Sequence, residues 1–461
     1  MKIVYPAQTR KPGPAWRQAG TVLVVCLVIS AIIAVTLVSY LIMTQAQNAA
    51  VARSQVWNTS IAVAEAGVED ALALMNKYAG FDDQITNWCT SASLAADHWT
   101  GAGANTYHVR RYLDSSYYDV YITNGNVLTP TIYSIGTVPF HYAGNDAPQT
   151  MLAAVGLTDA TPKLLSRRLE VTTKYERLFA VAMAALQVID FSGQNISTDS
   201  FDSADPAHSI NGLYPFGQPS MILSNGDVCS DATIINSVNA GNANIKGAAR
   251  TGPKGTVYLG PGGYVTGGIY DDFNVIFPDV VLPMLPWMPV SAKDITVGDK
   301  TYNYSIEQSG DYYLNSFNTT LYIASNVNAR ILMSGIVNMT GEDEIRIANG
   351  AQVKVYMQGG IFKAAGNGIV NENGDAASFC YFGLPSNTSV ILGGNASFTG
   401  AIYAPQAAFA LGGGGDDIYD FIGASVSKTV KMNGHFKFHY DENLRRIGPP
   451  RGYVATNWKE K

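Results

Sequence analysis

Two adjacent carboxylates, Asp416 and Asp417, and a histidine further along the chain, His435, fit a catalytic pattern. A pair of carboxylates can hydrolyse a glycosidic bond, because one protonates the leaving group while the other activates water. The pattern is weak here, since the acids follow the glycine run Gly412 to Gly415, which predicts an exposed turn, and no basic residues follow His435. We therefore expect no enzymatic activity and keep Asp416, Asp417 and His435 only as an alternative site for an acidic polysaccharide.

Metal and cofactor sites are not predicted either. In a strand, His435 and His439 would lie roughly 13 Å apart at about 3.3 Å per residue, too far to share one ion. Cys89, Cys229 and Cys380 are widely spaced and form no CxxC pair. Whether two of these cysteines form a disulfide or all three remain buried thiols stays open.

The charge distribution excludes nucleic acid as a partner. The formal net charge is -6, and the basic residues outside the N-terminal leader are scattered, apart from the pair Arg445 and Arg446. A protein that binds a phosphate backbone needs a basic patch or stripe, which this sequence lacks.

The element that must position the rest is an N-terminal helix. Residues 21–43, TVLVVCLVISAIIAVTLVSYLIM, carry no charge and would reach roughly 34 Å at about 1.5 Å per residue, enough for a hydrocarbon core of about 30 Å. The basic leader, residues 1–20, places the N-terminus in the cytosol by the positive-inside rule. A secretory signal peptide has a shorter apolar region, of about 7 to 15 residues. No proline follows, so the helix should continue through residues 44–80 and end near Gly80.

These residues carry a resemblance to a known family. The leader end Arg17 to Gly20, the apolar helix and the run from Ala64 through Glu65, Ala66, Gly67 and Glu69 (AEAGVE) resemble the N-terminal region of PilX-type type IV pilus assembly proteins and related pseudopilins. The resemblance implies cleavage between Gly20 and Thr21 by a prepilin peptidase and packing of the helix into a filament. Major pilins carry a glutamate five residues into the mature helix, where this chain has Val25, so a minor subunit is implied. An unprocessed signal anchor is the alternative.

Beyond the helix, composition favours β-structure. Charged residues make up 14% of the chain, against roughly 25% in ordinary globular proteins, and there are 45 glycines. Within residues 81–180, alternating patterns predict a hairpin of strands 107–113 and 117–123, then strands 131–140, 149–157 and 167–175. A long helix followed by such strands predicts a small α+β pilin-like head.

Residues 181–446 change to short apolar triplets separated by glycine and asparagine. Strands this short are stable only when they stack coil on coil, which predicts a right-handed parallel β-helix. A β-sandwich is the alternative and would have longer strands at more regular spacing. The segment from Leu321 to Leu444 resembles the C-terminal solenoid that accompanies PilX-type N-termini in some large bacterial surface proteins.

Residues 274–292 form a proline-rich strap in this interpretation. Its prolines cannot donate hydrogen bonds to a ladder, so the strap should lie across the coils. Its apolar side chains are expected to cover a face of those coils; they are Val280, Val281, Leu282, Met284, Leu285 and Trp287.

The C-terminal segments close the molecule in this interpretation. Phe436, Phe438 and Tyr440 alternate with His435, Lys437 and His439, so the aromatic side chains are expected to plug the last coil. Residues 447–461 form a tail, either a disordered end or a strap anchored by Trp458.

Together these patterns predict a non-enzymatic, single-pass membrane protein with its N-terminus in the cytosol and its bulk in the periplasm or at the cell surface. Its expected partners are the inner membrane, other pilin or pseudopilin subunits and a prepilin peptidase. With 26 tyrosines, whose rings and hydroxyls suit sugar contacts, a glycan or surface ligand is a further expected partner. No cofactor is expected.

Overall fold

The computed structural model describes residues 19–77, 87–125, 127–140, 163–193, 195–393, 397–413 and 419–461. Its first element is the single helix α1 (Ala19–Lys77), 59 residues long. The predicted continuation of the apolar segment is therefore confirmed as far as Lys77, because the stretch has no proline. The predicted end near Gly80 and the predicted strand 149–157 lie outside the described residues.

An antiparallel sheet packs against the second half of α1. Its first five strands are β1 (Thr100–Gly103), β2 (Thr106–Leu113), β3 (Ser116–Thr123), β4 (Thr131–Phe140) and β5 (Lys163–Arg177). The predicted hairpin is confirmed, since β2 and β3 pair in register from Tyr107 with Ile122 to Leu113 with Ser116. The strands predicted at 131–140 and 167–175 are confirmed as β4 and as part of β5. Short helices precede the sheet at Asn87–Cys89 and Ser91–Ala96.

The region between β5 and the C-terminus consists mostly of short strands. Its first half contains β6 (Met183–Ala185), β7 (Ile189–Asp190), β8 (Ser197–Phe201), β9 (Val228–Ser230), β10 (Val238–Gly241), β11 (Asn244–Ile245), β12 (Ala249–Arg250), β13 (Val257–Leu259), β14 (Tyr264–Val265) and β15 (Ile269–Tyr270). Its second half contains β16 (Met288–Pro289), β17 (Ala292–Val297), β18 (Lys300–Ile306), β19 (Gly310–Leu314), β20 (Leu321–Ile323), β21 (Asn328–Met333), β22 (Val337–Met339), β23 (Glu344–Ile347), β24 (Gln352–Met357), β25 (Ile361–Ala364), β26 (Gly368–Asn371), β27 (Phe379–Gly383), β28 (Ser389–Gly393), β29 (Phe398–Gly413), β30 (Tyr419–Gly434) and β31 (Phe436–Asp441). One-turn helices lie at Pro219–Met221, Ala376–Ser378 and Leu444–Ile447, and the last strand is β32 (Pro450–Glu460).

These short strands pair in parallel ladders, as the Gly- and Asn-punctuated pattern predicts. In the first half, the ladders run β6–β9–β12–β15, β7–β10–β13 and β8–β11–β14. In the second half, β21, β24 and β27 stack in the same way, as do β22, β25 and β28, and β20, β23 and β26. Inward-facing aliphatic and aromatic side chains from successive strands form one buried core.

The chain enters this stack in its middle. The first strand, β6, pairs with β30, and β8 pairs with β31, so the first strands of this region lie directly against its last ones. From there the chain runs outward to β15 and then crosses by the strap to β16, from which successive strands lead back toward β31.

This topology corrects two expectations about residues 435–440. Phe436, Phe438 and Tyr440 are buried as predicted, but they do not plug a last coil, because β8 covers the far edge of β31. His439, expected on the outer face of the strand, is only 2% exposed. The reason is that Tyr214, on the long loop after β8, stacks on the His439 ring with 3.8 Å between ring centroids.

The strap is only partly an apolar cover. Val280 is 3% exposed, and Trp287 packs edge-to-face on Tyr356, as expected for packing. Val281 and Met284 instead point into solvent, at 72% and 102% exposure, because an extended segment cannot turn every side chain toward one face. That part of the predicted cover is wrong.

The C-terminal tail is a strand of the head sheet. β32 pairs antiparallel with β5, which gives the sheet order β1-β2-β3-β4-β5-β32. Asn76, near the end of α1, donates to the carbonyl of Tyr453 and accepts from its N–H. Tyr453 is buried, whereas Trp458 is 45% exposed and anchors little. The whole ladder region is thus inserted between two neighbouring strands of the head.

Candidate assembly interface and buried polar clusters

The first half of α1 presents an apolar surface on all sides. Its large side chains between Val22 and Met43 are at least half exposed in the isolated chain, Val25 among them at 54%. The helix is long and apolar enough to cross a membrane, with a mean hydropathy of 3.0 in its most apolar window, a property that signal sequences share. Gly20 and Thr21, the predicted processing site, lie in its first turn.

Four serine and threonine hydroxyls in or next to this apolar half bond to carbonyls of the helix itself. The Ser30 hydroxyl donates to the Cys26 carbonyl, and the Ser39 hydroxyl donates to the Val35 carbonyl. Thr36 and Thr44 bond to carbonyls three and four residues earlier. A hydroxyl paired in this way can enter lipid or a packed helix bundle without leaving an unpaired polar group.

The family-like motif divides between two faces of α1. Ala64 and Gly67 are buried against the sheet, while Glu65 and Glu69 are exposed on the other side and Ala66 is half-buried. The small residues therefore serve close packing in this chain. The two glutamates, four residues apart, form an acidic stripe that no described part of the chain covers.

Two glycines allow α1 to approach β4 closely. A Cβ on Gly67 would overlap the hydroxyl of Ser134, and a Cβ on Gly136 would overlap the backbone of Ser60 and Ala64. At both positions the obstruction lies on the opposing element, so a larger residue would push the helix off the sheet.

An ion pair and a hydrogen bond link α1 to strands β2 and β3 of the sheet. The Arg111 guanidinium donates to the Asp70 carboxylate over 2.6 Å, and the Tyr118 hydroxyl donates to the same oxygen. Burial, with the neighbouring Asp70 charge, raises the pKa of Tyr118 to about 12. The hydroxyl therefore stays a donor at physiological pH.

The alternative polysaccharide site remains a prediction. Asp416 and Asp417 lie outside the described residues, and His435 is half-buried directly before β31. The nearest described acid, Asp420, borders a cavity of about 20 Å³ together with Ser397, Phe398 and Phe436. A cavity of that size holds about one water and no sugar ring.

A buried ion cluster that the sequence did not reveal lies where the two halves of the ladder region meet. His439 bonds through Nδ1 to Asp199 over 2.6 Å and through Nε2 to Asp420 over 3.1 Å. The Tyr214 hydroxyl donates to the other oxygen of Asp199. Burial alone would lower the pKa of His439, but the two carboxylates outweigh it and raise that pKa. The partners come from β8 and β30, so no sequence spacing links them.

Asp441 and Glu442, which lie shortly after His439, bind the end of β8 and the loop that follows it. Asp441 accepts from the backbone N–H of Ser203, and Glu442 accepts from the Ser200 hydroxyl and from the side-chain amide of Asn225. Burial raises the pKa of Asp441. With every one of these contacts made inside the fold, the cluster supports structure.

A second buried carboxylate lies at the far end of the stack. Glu344 is 2% exposed and accepts from Lys300 over 2.7 Å, from Arg346 over 3.0 Å and from the Tyr302 hydroxyl. Asn367 completes the set of donors. Burial alone would raise the pKa of Glu344, but these donors lower it. Within the described ranges, no group of three histidine, cysteine or acidic side chains is arranged to hold a metal ion.

Comparisons with known proteins give two matches. A family model described as a domain of unknown function, DUF7305, matches residues 291–447, less than half of the chain. Among solved structures, the chain is similar to the competence-associated pilin ComZ from Thermus thermophilus, with 9% identity and a TM-score of 0.25 over 88% of this chain and 98% of that one. Curated proteins yield no match. A likeness this loose assigns no function to the chain.

Proposed function

We propose that this protein is a minor, pilin-like subunit of a type IV pilus or a type II secretion-like filament. The observation that carries the proposal is the division of α1. Its first half exposes apolar side chains on all sides, and its second half is bound to an antiparallel sheet through Gly67 and Gly136. An apolar half-helix attached to a water-soluble head suits both membrane storage and later packing among other helices.

The absence of an acid at Val25 supports a minor role within this proposal. The processing site between Gly20 and Thr21, implied by the resemblance to PilX-type proteins, belongs to the same proposal. The exposed Glu65 and Glu69 would face neighbouring subunits, since no described residue covers them.

We further infer that the parallel ladders form a β-helix, displayed outside the filament. Support comes from the in-register stacking of buried side chains, such as Ile345 between Leu321 and Ile369. The proposed role of this part is assembly or adhesion, without enzymatic activity. Exposed tyrosines on its surface, among them Tyr258 and Tyr313 at 50% and 41%, suit contact with a glycan or a surface protein.

The experiment that tests the proposal is the N-terminal sequence of the mature protein, measured by mass spectrometry of membranes from cells with and without prepilin peptidase. We expect a peptidase-dependent start at Thr21. A Gly20→Val variant should remain unprocessed, while a Gly13→Val variant in the same leader should be processed normally. A start at Met1 in all strains would contradict the filament role and leave a signal-anchored protein.

The alternative function is a membrane-anchored β-helix that binds or cleaves acidic polysaccharide. It rests on Asp416, Asp417 and His435 and predicts that the full chain in mild detergent releases product from polyuronates. Asp416→Asn and Asp417→Asn variants serve as controls. Product from the wild type but not from these variants would establish this alternative and overturn the non-enzymatic role.

A further inference from the structure

The two ends of the ladder stack are built differently. At the end near β18, inward-facing side chains are covered: Ile306 and Phe317 are 1% exposed and Leu314 is 6% exposed. The hairpin β17–β18 lies over this end, and its outer strand carries Lys293 and Asp294. Charged residues on an edge strand are a common protection against pairing with another chain.

At the opposite end, no described strand covers the outermost coil. Val257, Val265 and Ile269 stack in register on Val238, Ile245 and Ala249, which are all fully buried. Ile269 is nevertheless 52% exposed, and Val257 and Val265 are only half-buried. These side chains are in register with the buried residues below them, but no further strand among the described residues lies above them.

The strand edges at this end are open as well. β13, β14 and β15 each pair on one side, with β10, β11 and β12, and no described strand pairs with the other side. Residues 257–270 contain no charge, and the exposed side chains of this coil include Tyr258, Tyr264 and Tyr270. An uncharged apolar edge of this kind is a template for strand pairing.

Charge on the rim of this end is balanced. Arg250 pairs with Asp272 over 2.7 Å, and the backbone N–H of Lys254 donates to Asp271. Two cations and two anions therefore border the open coil, so the net charge of this rim is zero and two copies of this end would not repel one another through it.

We propose that this end binds the same end of a second copy of the chain. An occupant must match three open edges at the spacing of this coil, and the same coil of another copy has that geometry. A two-fold axis perpendicular to the stack makes the end strands of the two copies run antiparallel. One of the three end strands then pairs with its own copy, and each of the other two pairs with the other one's copy. An isologous contact of this kind closes after two chains. The covered end at β17–β18 prevents growth into a longer stack.

The test uses the full chain in mild detergent and needs no knowledge of the filament. Light scattering should give a dimer for the wild type and a monomer for Ile269→Lys and Val265→Lys. Ile361→Lys, which changes an exposed isoleucine on the side of the stack, is the matched control and should remain dimeric. Association that persists in both edge variants would be due to α1 and would overturn the proposal, as would a monomeric wild type.

Hydrogen exchange provides a second readout that requires no substitution. On dilution of the wild type, amides of β13, β14 and β15 should lose protection by about tenfold as the dimer dissociates, while amides of β10, β11 and β12 stay protected. Protection that does not depend on concentration would contradict the dimer. Since neither readout involves cleavage at Gly20, failure here leaves the proposed filament role untouched.

Discussion

Replacement of His439 by leucine should destabilise the junction between the two halves of the ladder region. The substitution removes the bonds to Asp199 and Asp420. Asp420 is at the surface of a small cavity and can be hydrated, but Asp199 is 7% exposed and would keep only the Tyr214 hydroxyl. Loss of one partner from a buried ion pair costs about 3–5 kcal/mol, so we expect a loss of that size.

The chain offers a matched control in His435→Leu. His435 directly precedes the same strand, is half-buried and belongs to no ion pair among the described contacts. The same substitution there should change stability by no more than about 0.5 kcal/mol. An Asp199→Asn, His439→Leu double variant should lose less than the sum of the two single variants, because the uncompensated carboxylate is gone.

The assay is hydrogen exchange of the full chain in mild detergent, followed on peptides from β8 and β31. Local exchange is the appropriate measurement because a chain with several domains has no single unfolding transition. The pH dependence has a defined sign. The carboxylates raise the pKa of His439 above its ordinary value of 6.5, so its stabilisation is complete below that pH and is lost as pH rises through the raised value. The difference between wild type and His439→Leu should therefore shrink at alkaline pH.

Two results would refute this reasoning. Equal protection of β8 in the His439→Leu and His435→Leu variants would mean that the ion cluster contributes nothing. A difference between wild type and variant that grows with pH would mean that His439 is neutral in the folded protein.

Three further predictions concern other parts of the molecule. Glu344→Gln should weaken the protection of β18 and β23 against amide exchange by about 1–3 kcal/mol, because Lys300 and Arg346 lose their shared anion. Since the pKa of Glu344 is lowered in the folded protein, the difference from wild type should vanish as pH falls through that lowered value. A difference that persists in strong acid would contradict this. Gly136→Val should detach α1 from β4 and raise proteolysis after residue 60, whereas Gly101→Val, in open space at the edge of the sheet, should have no effect; equal proteolysis of both variants would be the contrary result. Deletion of β32 should expose the edge of β5 and speed amide exchange in β5 but not in β2, and unchanged exchange in β5 would show that the last strand is dispensable.

Local patterns predict a large share of this fold. The helix follows from the uninterrupted apolar run, the hairpin from alternation around Asp114 to Ser116, and the parallel ladders from glycine and asparagine corners. Pairing between distant coils does not follow, because a short apolar triplet has no feature that selects its neighbour. The partners of His439 and the return of β32 to β5 depend on such pairings, so the sequence placed His439 on an outer face and left the tail undecided.

The insertion of the ladder region between β5 and β32 determines how a pulling force would reach the head. Arg177 at the end of β5 and Pro450 at the start of β32 lie side by side, so tension on the ladder region pulls both strands lengthwise in the same direction. β5 is held by β4, where every residue from Thr131 to Phe140 has a partner. Load parallel to the strands strains all those hydrogen bonds together, whereas load across them would break the bonds one after another. The attachment is therefore arranged for shear, the geometry in which a strand best resists extraction from its sheet.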